Sequence, residues 1–149
     1  MIYSYVYTME VLMNYREEIA YLIARLFLGC LFLFQGYDAV FNIKIKTVVD
    51  TYNNQFANKG IPKWLTSLGV WFTSLSELFG GLLLVFGFLS YPALYMLGLN
   101  IIVASIAFGI STPMWDMRFV FPRLLLILFL LLAPVAWNYF SLDHFLFTK

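Results

Sequence analysis

The sequence predicts an all-α fold: four transmembrane helices in a bundle, with a short amphipathic helix lying in the membrane interface between the first and the second. Three observations carry this. Hydrophobic residues make up 62% of the 149 residues and charged residues 11%, against ~45–50% and ~25% in soluble domains. Four apolar runs, about 20–41, 67–89, 92–111 and 119–138, each approach the ~20 residues a helix needs to cross the hydrocarbon layer. Apolar and polar residues do not alternate at period two along these runs, so a barrel is excluded, and in lipid an apolar run must bond its own backbone as a helix.

The same numbers exclude several function classes. So few charges cannot cover a small soluble globule. A net charge of +1 without a basic patch argues against nucleic acid as a partner. Cys30 is the only cysteine, which removes disulfide frameworks and Cys-rich metal sites and leaves it a packing residue. The aromatic share of 20% suits a chain with Trp and Tyr at both membrane interfaces.

The first run follows a Tyr-rich, acidic head and contains Arg25, so it does not read as a cleaved signal peptide. Met9 and Met13 are alternative starts, and no function is placed on the first dozen residues. Between the first two runs, Ile45, Val48, Val49, Tyr52 and Phe56 recur at helical spacing opposite Lys46, Asp50, Asn53 and Asn54. This predicts an interfacial helix over about 45–58. Lys59-Gly60 ends it, and Pro62 suits the start of the next helix. Ser90-Tyr91-Pro92 predicts a tight turn that makes the second and third spans antiparallel neighbours. Thr112–Arg118 is a short loop, with Trp115 as an interface anchor beside Trp64 and Trp71. Four crossings put both termini on one side. The whole chain, 1–149, then forms a single membrane domain. Five basic loop residues, Lys44, Lys46, Lys59, Lys63 and Arg118, lie on the opposite side, but the four lysines flank or belong to the interfacial segment, where the positive-inside rule discriminates weakly.

Chemistry must come from the polar residues within the spans: Arg25, Gln35, Asp38, Glu77, Asn100 and Arg123. A charge at mid-membrane costs roughly 2.5–3.5 kcal/mol on insertion scales, so each needs a partner or a role. At ~1.5 Å of rise per residue, Glu77 and Asn100 fall near mid-depth and Asp38 and Arg123 near the interfacial-helix side, while Arg25 falls near the other. Asp38, Glu77, Asn100 and Arg123 thus form a candidate polar or ligand-binding cluster. Thr73, Ser74, Glu77 and Gly81 share one stripe of the second span, and Ala93, Asn100, Ala104, Ala107 and Ser111 form a small-residue stripe on the third. Gly29 and Gly36 share a face with Arg25, while Gln35 and Asp38 lie nearly opposite. Asp38 and Arg123 read equally well as a structural ion pair. Glu77, desolvated at mid-depth, is the candidate proton-exchanging group. Arg25 and Asp143 are expected to form a structural pair. No catalytic residue and no metal ligand is assigned.

Ala24-Arg25-Leu26-Phe27-Leu28-Gly29 followed by Phe34-Gln35-Gly36-Tyr37-Asp38, then Gly60-Ile61-Pro62, then Ser76-Glu77-Leu78-Phe79-Gly80-Gly81-Leu82-Leu83-Leu84 with Gly87, and finally Ser141-Leu142-Asp143, resemble in order and spacing the motifs of DoxX-like (DoxX/MauE-type) small integral membrane proteins. The resemblance spans about 20–146. It implies a four-helix fold in a bacterial inner membrane and a redox association. The family is named for a subunit of a thiosulfate:quinone oxidoreductase, and relatives accompany thiol redox maturation. The motif positions that carry over are Arg25, Glu77 and Asp143, none of them catalytic on that ground.

Two functions compete. In one the chain is a membrane subunit or accessory of a redox system, holding a quinone or other lipophilic ligand near Glu77. In the other it is a non-enzymatic scaffold or chaperone-like partner of another membrane protein, and the buried polar groups set helix register. No haem, metal or nucleotide motif is present and no cofactor is assigned; a quinone is the cofactor class that the resemblance implies. Besides the lipid bilayer, the expected partner is another membrane or redox protein. A homo-oligomer is compatible with four helices that enclose little lumen alone.

Overall fold

A computed structural model describes residues 13–111 and 120–147. The expected head over the first dozen residues and the loop Thr112–Arg118 lie outside them. The described residues form helices α1 (Arg16–Tyr37), α2 (Ile45–Phe56), α3 (Lys63–Phe86), α4 (Ser90–Ser111), α5 (Val120–Leu132) and α6 (Leu142–Phe147). A π-helical turn (Asp38–Asn42) extends α1, and a 3₁₀ turn (Val135–Asn138) follows α5.

Among the described residues three segments are long and apolar enough to cross a membrane: Arg16–Asn42, Lys63–Phe86 and Ser90–Ser111. In the fourth apolar run the described residues form a shorter apolar helix, Val120–Leu132. Pro134 (φ −55°, ψ 140°) marks its end: it lacks a backbone donor and pushes the preceding residue out of the helical region. The chain resumes as the 3₁₀ turn.

The join between the second and third spans also lies elsewhere than expected. Ser90-Tyr91-Pro92 is the first turn of α4, where a proline is tolerated. The chain reverses over Gly87–Leu89. Gly87 sits at φ 64°, and its N–H and that of Phe88 close on Leu84 O (3.1 Å) and Leu83 O (3.0 Å). This is a Schellman closure, which favours glycine because a Cβ is strained at that φ.

α1 packs most extensively against α3. Two glycines set that contact. A Cβ on Gly36 would lie 2.6 Å from Leu78 Cα, and one on Gly81 would lie 2.7 Å from Leu33 Cα. The two backbones therefore touch, as small residues allow in membrane helix pairs. Leu28, Phe32, Leu84, Leu94, Leu97, Ile127 and Leu130 fill the interior among α1, α3, α4 and α5. Helix α2 forms as expected from its amphipathic pattern, with Ile45 and Phe56 buried. It lies against α3 and touches α4.

Candidate functional site

Beneath α2, between α1, α3, α4 and α5, lies a cavity of about 700 Å³. Its walls are mainly aliphatic and aromatic. Its polar groups are Gln35 and Asp38 from α1 and its π turn, Tyr52 from α2, Thr66, Thr73, Ser74 and Glu77 from α3, Asn100 from α4 and Arg123 from α5. All four residues of the expected polar cluster line this one space.

Glu77 is 7% exposed, and its Oε1 accepts a hydrogen bond from Gln35 Nε2 at 3.1 Å. Gly36 explains the reach. Its Cα lies against the Glu77–Leu78 peptide, so the neighbouring Gln35 side chain crosses to Glu77 with no gap to span. Gln35 is the functional candidate that the sequence reading set aside by helical phase. The signal that points to it is the adjacent glycine.

Asn100 is fully buried. Its Nδ2 donates to Thr73 O at 3.0 Å and to Ser76 Oγ at 2.7 Å, which ties α4 to α3 one turn from Glu77. Both amide hydrogens are thereby used. Asn100 Oδ1 is left buried without a hydrogen-bond partner among the described residues, and so is Thr66 Oγ1. Both residues line the cavity, Thr66 from α3 and Asn100 from α4, and buried polar groups are normally satisfied.

The expected Asp38–Arg123 ion pair is absent among the described residues. Asp38 sits in the π turn, where its Oδ1 accepts from Asn42 Nδ2 at 2.7 Å. The Arg123 guanidinium lies over the Phe32 ring, 5.6 Å from its centroid, a cation–π arrangement that holds the charge in an apolar wall. Local partners capture each group before they meet across the cavity. Tyr52, read from sequence only as part of an apolar face, roofs the site beside Phe56, with ring centroids 5.8 Å apart. Burial, and next the Glu77 carboxylate, push its phenol above the usual range.

Arg25 and Asp143 do not form the expected direct pair. The Arg25 side chain, with the residue 2% exposed, donates through Nη1 to Leu84 O at 3.0 Å and through Nη2 to Phe140 O at 2.6 Å. Asp143 instead accepts from the backbone N–H groups of Leu89 (2.7 Å) and Ser90 (2.8 Å). Helix ends explain the divergence. Arg25 reaches a carbonyl in the last turn of α3, Leu84 O, and a second, Phe140 O, beyond the 3₁₀ turn, while an anion is stabilised by the free N–H groups at the start of α4. The two residues serve opposite ends of the same reversal.

Compared with known families, residues 20–110 match the family model described as DoxX. No curated protein and no solved structure gives a match.

Proposed function

The chain belongs to the DoxX family, and from that premise we propose that it is a redox-associated membrane subunit or accessory that holds a lipophilic ligand of the quinone class at Glu77. The observation that carries this is the cavity of about 700 Å³, apolar in its walls, with Gln35, Glu77, Asn100 and Arg123 converging on it. That volume lies within the ~300–1,000 Å³ of small-molecule sites, and such sites combine apolar walls with few polar groups. Asn100 Oδ1 and Thr66 Oγ1 supply polar atoms that a ligand hydroxyl would satisfy. Arg123 and the Gln35 amide offer donors to a ligand carbonyl.

Interconversion of a quinone and a quinol moves two electrons and two protons. In this reading a partner redox protein passes the two electrons, and Glu77 relays the two protons one after the other to or from the ligand oxygens, exchanging each with water at the cavity mouth. The chain forms one domain with four crossings, the last made by the run around α5, and both termini lie on the same side of a bacterial inner membrane.

The scaffold reading draws on a different observation. Asn100 spends both amide hydrogens on α3, which is how a register-setting residue behaves. Mass spectrometry of the organic extract from protein purified in mild detergent separates the two readings. A lipophilic molecule stoichiometric with wild type and lost from Ala104→Phe, which places a ring at the cavity wall, supports the ligand reading. Identical extracts from both proteins, with a membrane protein co-purifying, support the scaffold.

A further inference from the structure

Helices α3 and α4 touch at one end and part at the other. A Cβ on Gly80 would lie 2.9 Å from Leu97 Cγ. Eleven residues earlier on α3, about 16 Å along the axis, a Cβ on Gly69 would meet only Val103 Cγ1, at 4.0 Å. A methyl group at residue 69 would thus be accommodated at ordinary contact distance, so the two helices pack more loosely there than at Gly80. The Gly87–Leu89 reversal holds the helices together at the Gly80 end, so the gap lies on the side where the cavity is.

Residues at this gap belong to the cavity and to the outer surface at once. Leu65, Leu68 and Ile106 line the cavity, yet Leu68 is 61% exposed and Ile106 59%. Both helices are among the segments apolar enough to cross a membrane, so hydrocarbon is what faces the gap. Glu77 and Asn100 lie about two helical turns from Gly69 and Ile106, respectively, toward the Gly80 end.

We propose that the cavity is reached sideways from the bilayer between α3 and α4, and that its ligand is a single-tailed amphiphile. The polar head lies at Glu77 and Asn100, and the tail runs over Gly69 and leaves between Leu68 and Ile106. This rests on the reading of the cavity as a ligand site. A tail kept in lipid stays solvated by hydrocarbon throughout, while only the head exchanges its surroundings, so access through the gap avoids exposing the tail to water. Gly69 is then a residue that selects for the tail, and it has no part in holding the head.

The test uses two probes on the full chain in phosphatidylcholine nanodiscs: 2,3-dimethoxy-5-methyl-1,4-benzoquinone, and the same ring with a decyl tail. Wild type, Gly69→Ala and Gly69→Leu are titrated with each. Partition into the nanodisc is common to all three proteins and cancels. In Gly69→Leu the tailed probe is expected to weaken about tenfold and the tail-less probe to change little, while Gly69→Ala behaves as wild type. Equal changes for both probes, or no change for either, overturn the lateral route and leave the pocket standing. Binding of neither probe to wild type overturns the pocket and the route together. A second measurement needs no variant. A decyl probe with a diazirine at the tail end, photolysed on wild type, is expected to label Leu65, Leu68 or Ile106; labelling confined to α1 or α5 overturns the route.

Discussion

Gln35 donates a 3.1 Å hydrogen bond to Glu77 across the closest contact between α1 and α3. The pairing depends on Gly36, which lets the two backbones touch. Gln35→Leu keeps the bulk and removes the donor. A net hydrogen bond contributes about 0.5–1.5 kcal/mol, and more when the acceptor is charged. Gln35→Leu is therefore expected to lower the melting temperature in detergent modestly and to weaken quinone binding. Unchanged binding would show that Glu77 does not rely on Gln35 for its position.

Gly36→Ala and Gly69→Ala add the same methyl group and should differ sharply. At residue 36 the methyl meets the backbone of Leu78, which cannot rotate away; at residue 69 it meets Val103 at ordinary contact distance. Overpacking costs roughly 1–3 kcal/mol and more when no side chain can yield. Detergent melting curves should show Gly36→Ala strongly destabilised and Gly69→Ala within error of wild type. Equal stability of the two variants would contradict the backbone contact.

Asp143 satisfies two backbone N–H groups at the start of α4. Loss of such a cap costs about 0.5–2 kcal/mol. Asp143→Ala should lower thermal stability by that order, and Asp143→Asn, which keeps one acceptor oxygen, by less. Arg25→Lys offers one ammonium where a fork reached two carbonyls, so it should also be destabilising despite the retained charge. A double variant matching the sum of the singles is expected if the two residues act at separate ends of the reversal; strong coupling would indicate a direct ion pair.

The apolar runs were legible as helices because membrane spans declare themselves by length and composition. Helix rise suggested that Glu77, Asn100 and Arg123 approach one another, and they line one cavity. Partner choice was less legible. Asp38 and Arg123 share a level, but depth is blind to Asn42 one turn away from Asp38 and to the Phe32 ring beneath Arg123. Arg25 and Asp143 were placed in one neighbourhood, yet the stronger claims on them came from backbone groups at helix ends, which a comparison of side-chain charges leaves out. Pro134 was visible in the sequence, and its local effect, the end of α5 at Leu132, was the cue passed over.

Glu77→Gln preserves shape and hydrogen-bonding capacity while removing proton exchange. In cells lacking the native copy, it is expected to accumulate normally and fail to restore the function of the system the protein serves. Full restoration would favour the scaffold reading, in which only an apolar replacement such as Glu77→Leu disturbs assembly.

The most direct measurement is the amount of quinone held per chain, read from the oxidised-minus-reduced absorbance of protein in nanodiscs loaded with the decyl quinone, for wild type against Ala104→Phe. One equivalent on wild type in excess of empty nanodiscs, abolished when residue 104 places a ring at the cavity wall and the variant still melts as wild type does, is the expected result. The same absorbance from wild type, Ala104→Phe and empty nanodiscs would contradict a ligand site at Glu77.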